Sequence, residues 1–138
     1  MDINNRIFQL NQNLKLRQLW FVCGCLLAAG IIFFSLSSIT PISDIRNFDK
    51  YLHIGSYFLL MAWWIQLYQH RLARLTFAII FTLMGAGIEY GQSFHPLRYF
   101  DVKDMVANAV GVISACGLSY FVQQNFLVKI EYVFLKKT

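Results

Sequence analysis

Charge is scarce in this chain: Asp, Glu, Lys and Arg make up 14% of its 138 residues, against about 25% in an average soluble domain. Proline occurs twice and glycine eight times, too few for a collagen-like or Pro-rich chain. Sparse charge joined to 57% hydrophobic residues also excludes intrinsic disorder, which needs the opposite balance. The three cysteines, Cys23, Cys25 and Cys116, have no metal-ligand spacing, and an odd count rules out a complete set of intrachain disulfides. All three lie inside apolar runs, where free cysteine behaves as a small packing residue. Apolar surface is what the chain has in excess, with a mean hydropathy of +0.49. A water-soluble domain of this size leaves about a third of its surface exposed, so it could not hide so much. The composition predicts a small integral membrane protein with room for one domain.

Four apolar segments organise the chain: residues 19–39, 51–68, 75–94 and 105–122. Each is long enough to cross about 30 Å of hydrocarbon as a helix, fully or nearly so. The first exceeds the apolar run of a signal peptide, and no Ala-x-Ala follows it. At the N-terminal end, Ile3, Ile7, Leu10 and Leu14 fall at helical spacing among polar residues, which predicts an amphipathic helix on the membrane surface. The tail mixes Phe126, Leu127, Ile130 and Phe134 with Lys129, Glu131, Lys136 and Lys137, and reads the same way. The expected fold is all-α: a bundle of four transmembrane helices with amphipathic surface helices at both ends. Residues 1–18 form the N-terminal segment, 19–122 the four-span core and 123–138 the basic tail of one domain.

Twelve basic residues face seven acidic ones, a net charge of +5. They flank the apolar segments rather than forming a patch interleaved with aromatics, so membrane topology explains them better than nucleic-acid binding. No nucleic-acid partner is expected; the lipid bilayer is. With four spans, both termini and the loop at residues 69–74 share one side and carry eight Lys/Arg, against four in the other two loops. The positive-inside rule then puts the termini in the cytoplasm, and Asp44, Asp49, Asp101 and Asp104 on the outer side.

Polar groups gather at that outer level. Asp49, His53 and Tyr57 are spaced i, i+4, i+8 along one face of the second helix, with His53 about 6 Å deeper than Asp49. Glu89 and Gln92 lie one turn apart near the outer end of the third, followed by Pro96 and Arg98 in the connection. Asp101 and Asp104 open the fourth helix, and Asn108 and Gly111 continue its stripe. Each has a plain structural reading: the aspartates as helix caps, His53 as a hydrogen-bonded interior histidine, Asn108 and Gly111 as helix-packing residues. Glu89 resists that reading, because a carboxylate inside an apolar helix needs a partner or a proton. Arg98, whose fork holds a carboxylate or phosphate bidentately, is the expected partner.

Taken in order, Asp49-Lys50-x-x-His53-x-x-x-Tyr57, Glu89-x-x-Gln92-x-x-x-Pro96-x-Arg98 and Asp101-x-x-Asp104-x-x-x-Asn108-x-x-Gly111 resemble the VanZ-like family of small bacterial membrane proteins. The resemblance covers about residues 19–122. It marks Asp49, Lys50, His53, Glu89, Gln92, Arg98, Asp104 and Asn108 as the family's positions, with Ile54 where the family often has Phe. It implies a bacterial inner-membrane protein with a link to teicoplanin-type glycopeptide resistance, and it brings no settled reaction.

Other membrane enzymes are excluded. The chain has no Ser-Gly-His of the lipid phosphatases and no Gly-x-Ser-Gly nucleophile, and Met105 follows Asp104 where a CDP-alcohol phosphotransferase has Gly. The leading expectation is a site for an anionic, phosphate-bearing headgroup of a cell-envelope lipid or lipid-linked precursor. His53, Glu89 and Asp104 are the candidate catalytic groups, with His53 as acid/base. Asp49, Lys50, Tyr57, Gln92, Arg98, Asp101 and Asn108 are the candidate ligand-binding residues. No residue is assigned as a metal ligand from spacing, although Glu89, Asp101 and Asp104 suit orienting cations or a hard divalent ion. Two alternatives stay open: a non-enzymatic module whose polar cluster is structural or meets a larger protein, and a small transporter component using Glu89 and His53 as a relay.

Overall fold

The computed structural model describes residues 6–37, 48–94, 100–121 and 125–136. Among these there are five helices and no strands: α1 (Arg17–Leu36), α2 (Phe48–Leu67), α3 (Arg71–Gln92), α4 (Val102–Leu118) and α5 (Phe126–Leu135). The all-α expectation holds. Two of the helices, α1 and α3, are long and apolar enough to cross a membrane. α2 is 20 residues long but opens with Asp49, Lys50 and His53, which lower its hydropathy, and α4 has 17 residues, ending at Leu118 rather than at 122.

The centre of the molecule is the seam between α2 and α4, the most extensive helix contact. α4 offers it the small residues Ala107, Gly111 and Ala115, one turn apart, together with Asn108 and Val112. Gly111 is where the two backbones touch. A Cβ added there would collide with the Ile54 carbonyl oxygen and come within 2.9 Å of the Phe58 nitrogen. Small residues that admit such an approach are how helices associate when lipid gives them no hydrophobic drive. α2 buries Tyr57, Leu60, Met61, Trp64, Ile65 and Leu67. Toward its C-terminal end an aromatic cluster fills the bundle: Trp64 and Tyr68 lie 4.4 and 4.7 Å from Phe77, ring centre to ring centre, and Phe21 lies 5.6 Å from Trp64.

Outward faces are apolar as well. On α4, Val102, Val106, Val110 and Ile113 form an exposed stripe; on α1, whose buried residue is Gly24, Leu19, Val22, Leu26, Phe33 and Phe34 are exposed. Contiguous exposed patches of this kind mark contact with membrane or protein.

The N-terminal segment departs from expectation. Among its described residues ahead of α1, helix occurs only at Arg6 and Ile7, and the chain then folds back in turns until α1 starts at Arg17. Asn11 is the reason. Its side chain accepts from the Asn13 N–H at 3.0 Å, a local bond that competes with helix. Its backbone and amide N–H groups donate to the carbonyls of Leu67 and Gln66, at 2.8 and 3.1 Å. Those carbonyls belong to the last turn of α2 and would otherwise lack a partner.

The C-terminal helix is present and does more than cover the surface. Buried Glu131 on α5 accepts from the N–H groups of Lys15 and Leu16, both at 2.8 Å, and from Trp20 Nε1 at 2.7 Å. Leu16, the residue before α1, has no capping side chain of its own. A carboxylate at a helix N-terminus satisfies free amides and meets the positive end of the dipole, so Glu131 caps α1 from the far end of the chain.

Candidate functional site

α4 begins at Asp101, whose carboxylate accepts from the Lys103 N–H at 2.8 Å and caps the helix. The cap fixes Asp104 in the first turn and Asn108 one turn further, on the face turned to α2. α2 carries Asp49, Lys50 and His53 at the matching level, because the two helices run parallel across the Gly111 contact, with both N-terminal ends on the same side. Lys50 joins them. Its ammonium donates to Asp49 at 2.8 Å and Asp101 at 2.7 Å and pairs with Asp104. The three donors of one ammonium thus meet three carboxylates. The bond from Lys50 holds the carboxyls of Asp49 and Asp101 below their ordinary range, helped at Asp101 by the Lys103 N–H.

His53 sits one turn deeper. Its Nδ1 lies 3.0 Å from Asn108 Oδ1 and its Nε2 lies 3.6 Å from Asp104 Oδ2. An amide oxygen only accepts, so Nδ1 carries the proton and Nε2 faces the carboxylates. From α3, Glu89 completes the group. Its side chain is fully buried, neither oxygen has a hydrogen-bond partner among the described residues, and donor atoms of His53, Glu89 and Asp104 lie within 4.8 Å of one another.

Tyr57 and Gly85 form the floor. The Tyr57 hydroxyl is buried without a hydrogen bond among the described residues. A Cβ on Gly85 would lie 2.8 Å from Asn108 Nδ2 and 3.2 Å from that hydroxyl, so only glycine lets α3 bring Glu89, one turn on, to this depth. Sequence reasoning missed Gly85, though it stands four residues before Glu89 on the same face. Gln92 is turned elsewhere: its amide donates to the Ser35 carbonyl at 2.6 Å and ties α3 to the end of α1. Arg98 and Pro96 lie outside the described residues. The structure therefore brings together Asp49, Lys50, His53, Tyr57, Glu89, Asp101, Asp104 and Asn108 from three helices.

The arrangement offers an imidazole nitrogen, an unpaired carboxylate and a tethered one, all aimed at one point. Such a set can hold a cation or move a proton.

A profile of the VanZ/LLP1 family matches residues 5–123. The chain belongs to the VanZ family. Family membership and the two apolar helices mark the VanZ chain as membrane-associated. It is also 35% identical, over 86 residues, to an uncharacterized protein of the fission yeast Schizosaccharomyces pombe, a match covering 60% of this chain and 53% of the yeast protein. The chain thus spans about half the length of the curated relative it matches. No solved structure matches it.

Proposed function

We propose that this VanZ-family protein spans the plasma membrane (the inner membrane in a bacterium) four times, both termini cytoplasmic, and presents its polar cluster at the outer surface to a phosphate-bearing headgroup. The ligand class is an anionic cell-envelope lipid or a lipid-linked precursor, and a part in glycopeptide resistance would follow from holding such a molecule. α2 and α4 complete the bundle of spans: they pack on one another through small residues, and the outward stripe of α4 is apolar. The eight-to-four division of Lys/Arg supports the orientation.

One observation carries the reading. A polar cluster that served packing alone would satisfy its own members, whereas Glu89 is fully buried with both oxygens unpartnered among the described residues. The cluster sets four carboxylates, three of them paired to Lys50, against one bonded ammonium, so a phosphate is met through cations: Lys50 at the rim, Arg98 in the α3–α4 connection, and any cation retained by the acidic groups. His53, whose Nε2 makes no hydrogen bond among the described residues, is placed to act as acid/base on the bound headgroup.

The test is the lipid that stays bound. Wild-type protein, Lys50→Met and Glu89→Gln are purified in mild detergent, and retained lipids are identified by mass spectrometry. The wild type should be enriched in a phosphate-bearing class over the bulk membrane, and both variants should lose that enrichment. Identical lipid profiles in all three, matching the bulk membrane, would refute the reading.

A further inference from the structure

We propose that His53, Glu89 and Asp104 bind one divalent first-row metal ion. Their donor atoms lie within 4.8 Å of one another and come from three helices, α2, α3 and α4. Proximity of acidic groups alone would say little, but two further features point to a ligand.

The first is Glu89. A fully buried carboxylate with no hydrogen-bond partner among the described residues requires compensation at the point it faces, and there it faces His53 and Asp104. The second is how His53 is held. Asn108, 1% exposed, accepts from Nδ1 at 3.0 Å, which fixes the tautomer and leaves the Nε2 lone pair directed at two carboxylates. Metal-bound histidines are oriented in this manner, the second ring nitrogen donating to a nearby oxygen. Lys50 engages Asp104 Oδ1, so Oδ2, at 3.6 Å from Nε2, is the oxygen turned inward.

Two carboxylates and a neutral imidazole give a site of charge −2, matched to a divalent ion. Nitrogen among the donors favours manganese, iron or zinc over magnesium and calcium, which take oxygen ligands. Three protein ligands leave coordination positions open, as required for a phosphate oxygen. The inference deepens the lipid reading by naming the cation that meets the phosphate, and it rests on that reading for this last step alone.

Manganese(II) is the probe, because the three cysteines would compete for zinc. Full-length protein in detergent is stripped with chelator, desalted and titrated with MnCl2, and bound ion is followed by electron paramagnetic resonance. One manganese per chain is expected, with electron spin-echo modulation from an imidazole nitrogen. His53→Ala should abolish that modulation. Glu89→Gln, which keeps the side chain's shape, should weaken binding at least about 100-fold, and Asn108→Leu about 10–100-fold, with helicity by circular dichroism unchanged. Absence of stoichiometric manganese, or binding indifferent to both His53→Ala and Glu89→Gln, would overturn the site. Equal retention of phosphate-bearing lipid by stripped and loaded protein would sink the metal's role while the lipid reading stands. Stoichiometric manganese with no such lipid would establish the site and sink the lipid reading.

Discussion

Gly111→Ala adds one methyl group at the point where α2 and α4 touch. In an exposed helix the change is favourable by about 1 kcal/mol, because alanine loses less entropy than glycine. At Gly111 the new Cβ would collide with the Ile54 carbonyl oxygen and stand 2.9 Å from the Phe58 nitrogen and 3.1 Å from the Tyr57 Cβ. Two of these three atoms are backbone and cannot rotate away, so the helices must separate. Overpacking of a tight interface costs about 1–3 kcal/mol, and a backbone collision belongs at the upper end. After the propensity gain the net loss is about 1–2 kcal/mol. The matched control is Gly30→Ala on α1, where the added Cβ meets nothing within 4 Å, and stability should rise by up to about 1 kcal/mol. Both are read by denaturant unfolding in the same detergent micelle, as differences from wild type. The separation should also loosen His53 from Asn108, since Gly111 lies one turn beyond Asn108 on the same face. Should Gly111→Ala prove as stable as Gly30→Ala, the close seam on which the site's geometry depends is wrong.

Three more outcomes are expected. Glu131→Gln puts an NH2 group against N–H donors and should destabilise by about 1.5–3 kcal/mol, the worth of hydrogen bonds to a charged group, with a shift in Trp20 emission; unchanged unfolding and emission would refute the cap. Asp49 and Asp101 have carboxyls held below their ordinary value of 3.8, so the stability they add is present above about pH 4 and lost as pH falls through their lowered values; Lys50→Met should flatten that acid limb in a pH series of melting curves, and an unaltered limb would contradict the assignment. Single cysteines at Ser43 and Gln69 in a cysteine-free background should label from outside and be protected, respectively; the reverse pattern would invert the topology.

Much of the architecture was legible because it is local. An apolar run of helix length says where a helix is, and Asp101 ahead of such a run says where one starts, with a cap that the structure shows. The i, i+4 spacing of Asp49 and His53 placed them on one face, and Asp104 and Asn108 followed by the same rule. Which faces meet is a tertiary fact. Lys50 was legible as a candidate ligand-binding cation beside Asp49, but its engagement of two residues of α4 across the bundle was not. Asn11 and Glu131 were missed for the same reason: a polar residue amid helical periodicity looks like part of a solvated face until its distant partner is known. Glu89 was legible as an anomaly. Its grouping with His53 and Asp104 followed from their common level in the sequence pattern; what was hidden is Gly85, which gives α3 room to approach and carries no side chain to notice.

The Glu131 cap ties the fold to the order in which the chain is made. The amides of Lys15 and Leu16 leave the ribosome early, and the carboxylate that satisfies them follows 116 and 115 residues later. At roughly 5–20 residues per second that delay is on the order of 6 to 23 s. During this interval α1 has an unsatisfied N-terminal end, and Trp20 has no acceptor for its indole N–H. The first helix is long and apolar enough to enter the bilayer, but its N-terminal end stays uncapped until α5 arrives. Assembly therefore closes like a clasp, with Glu131 as the catch.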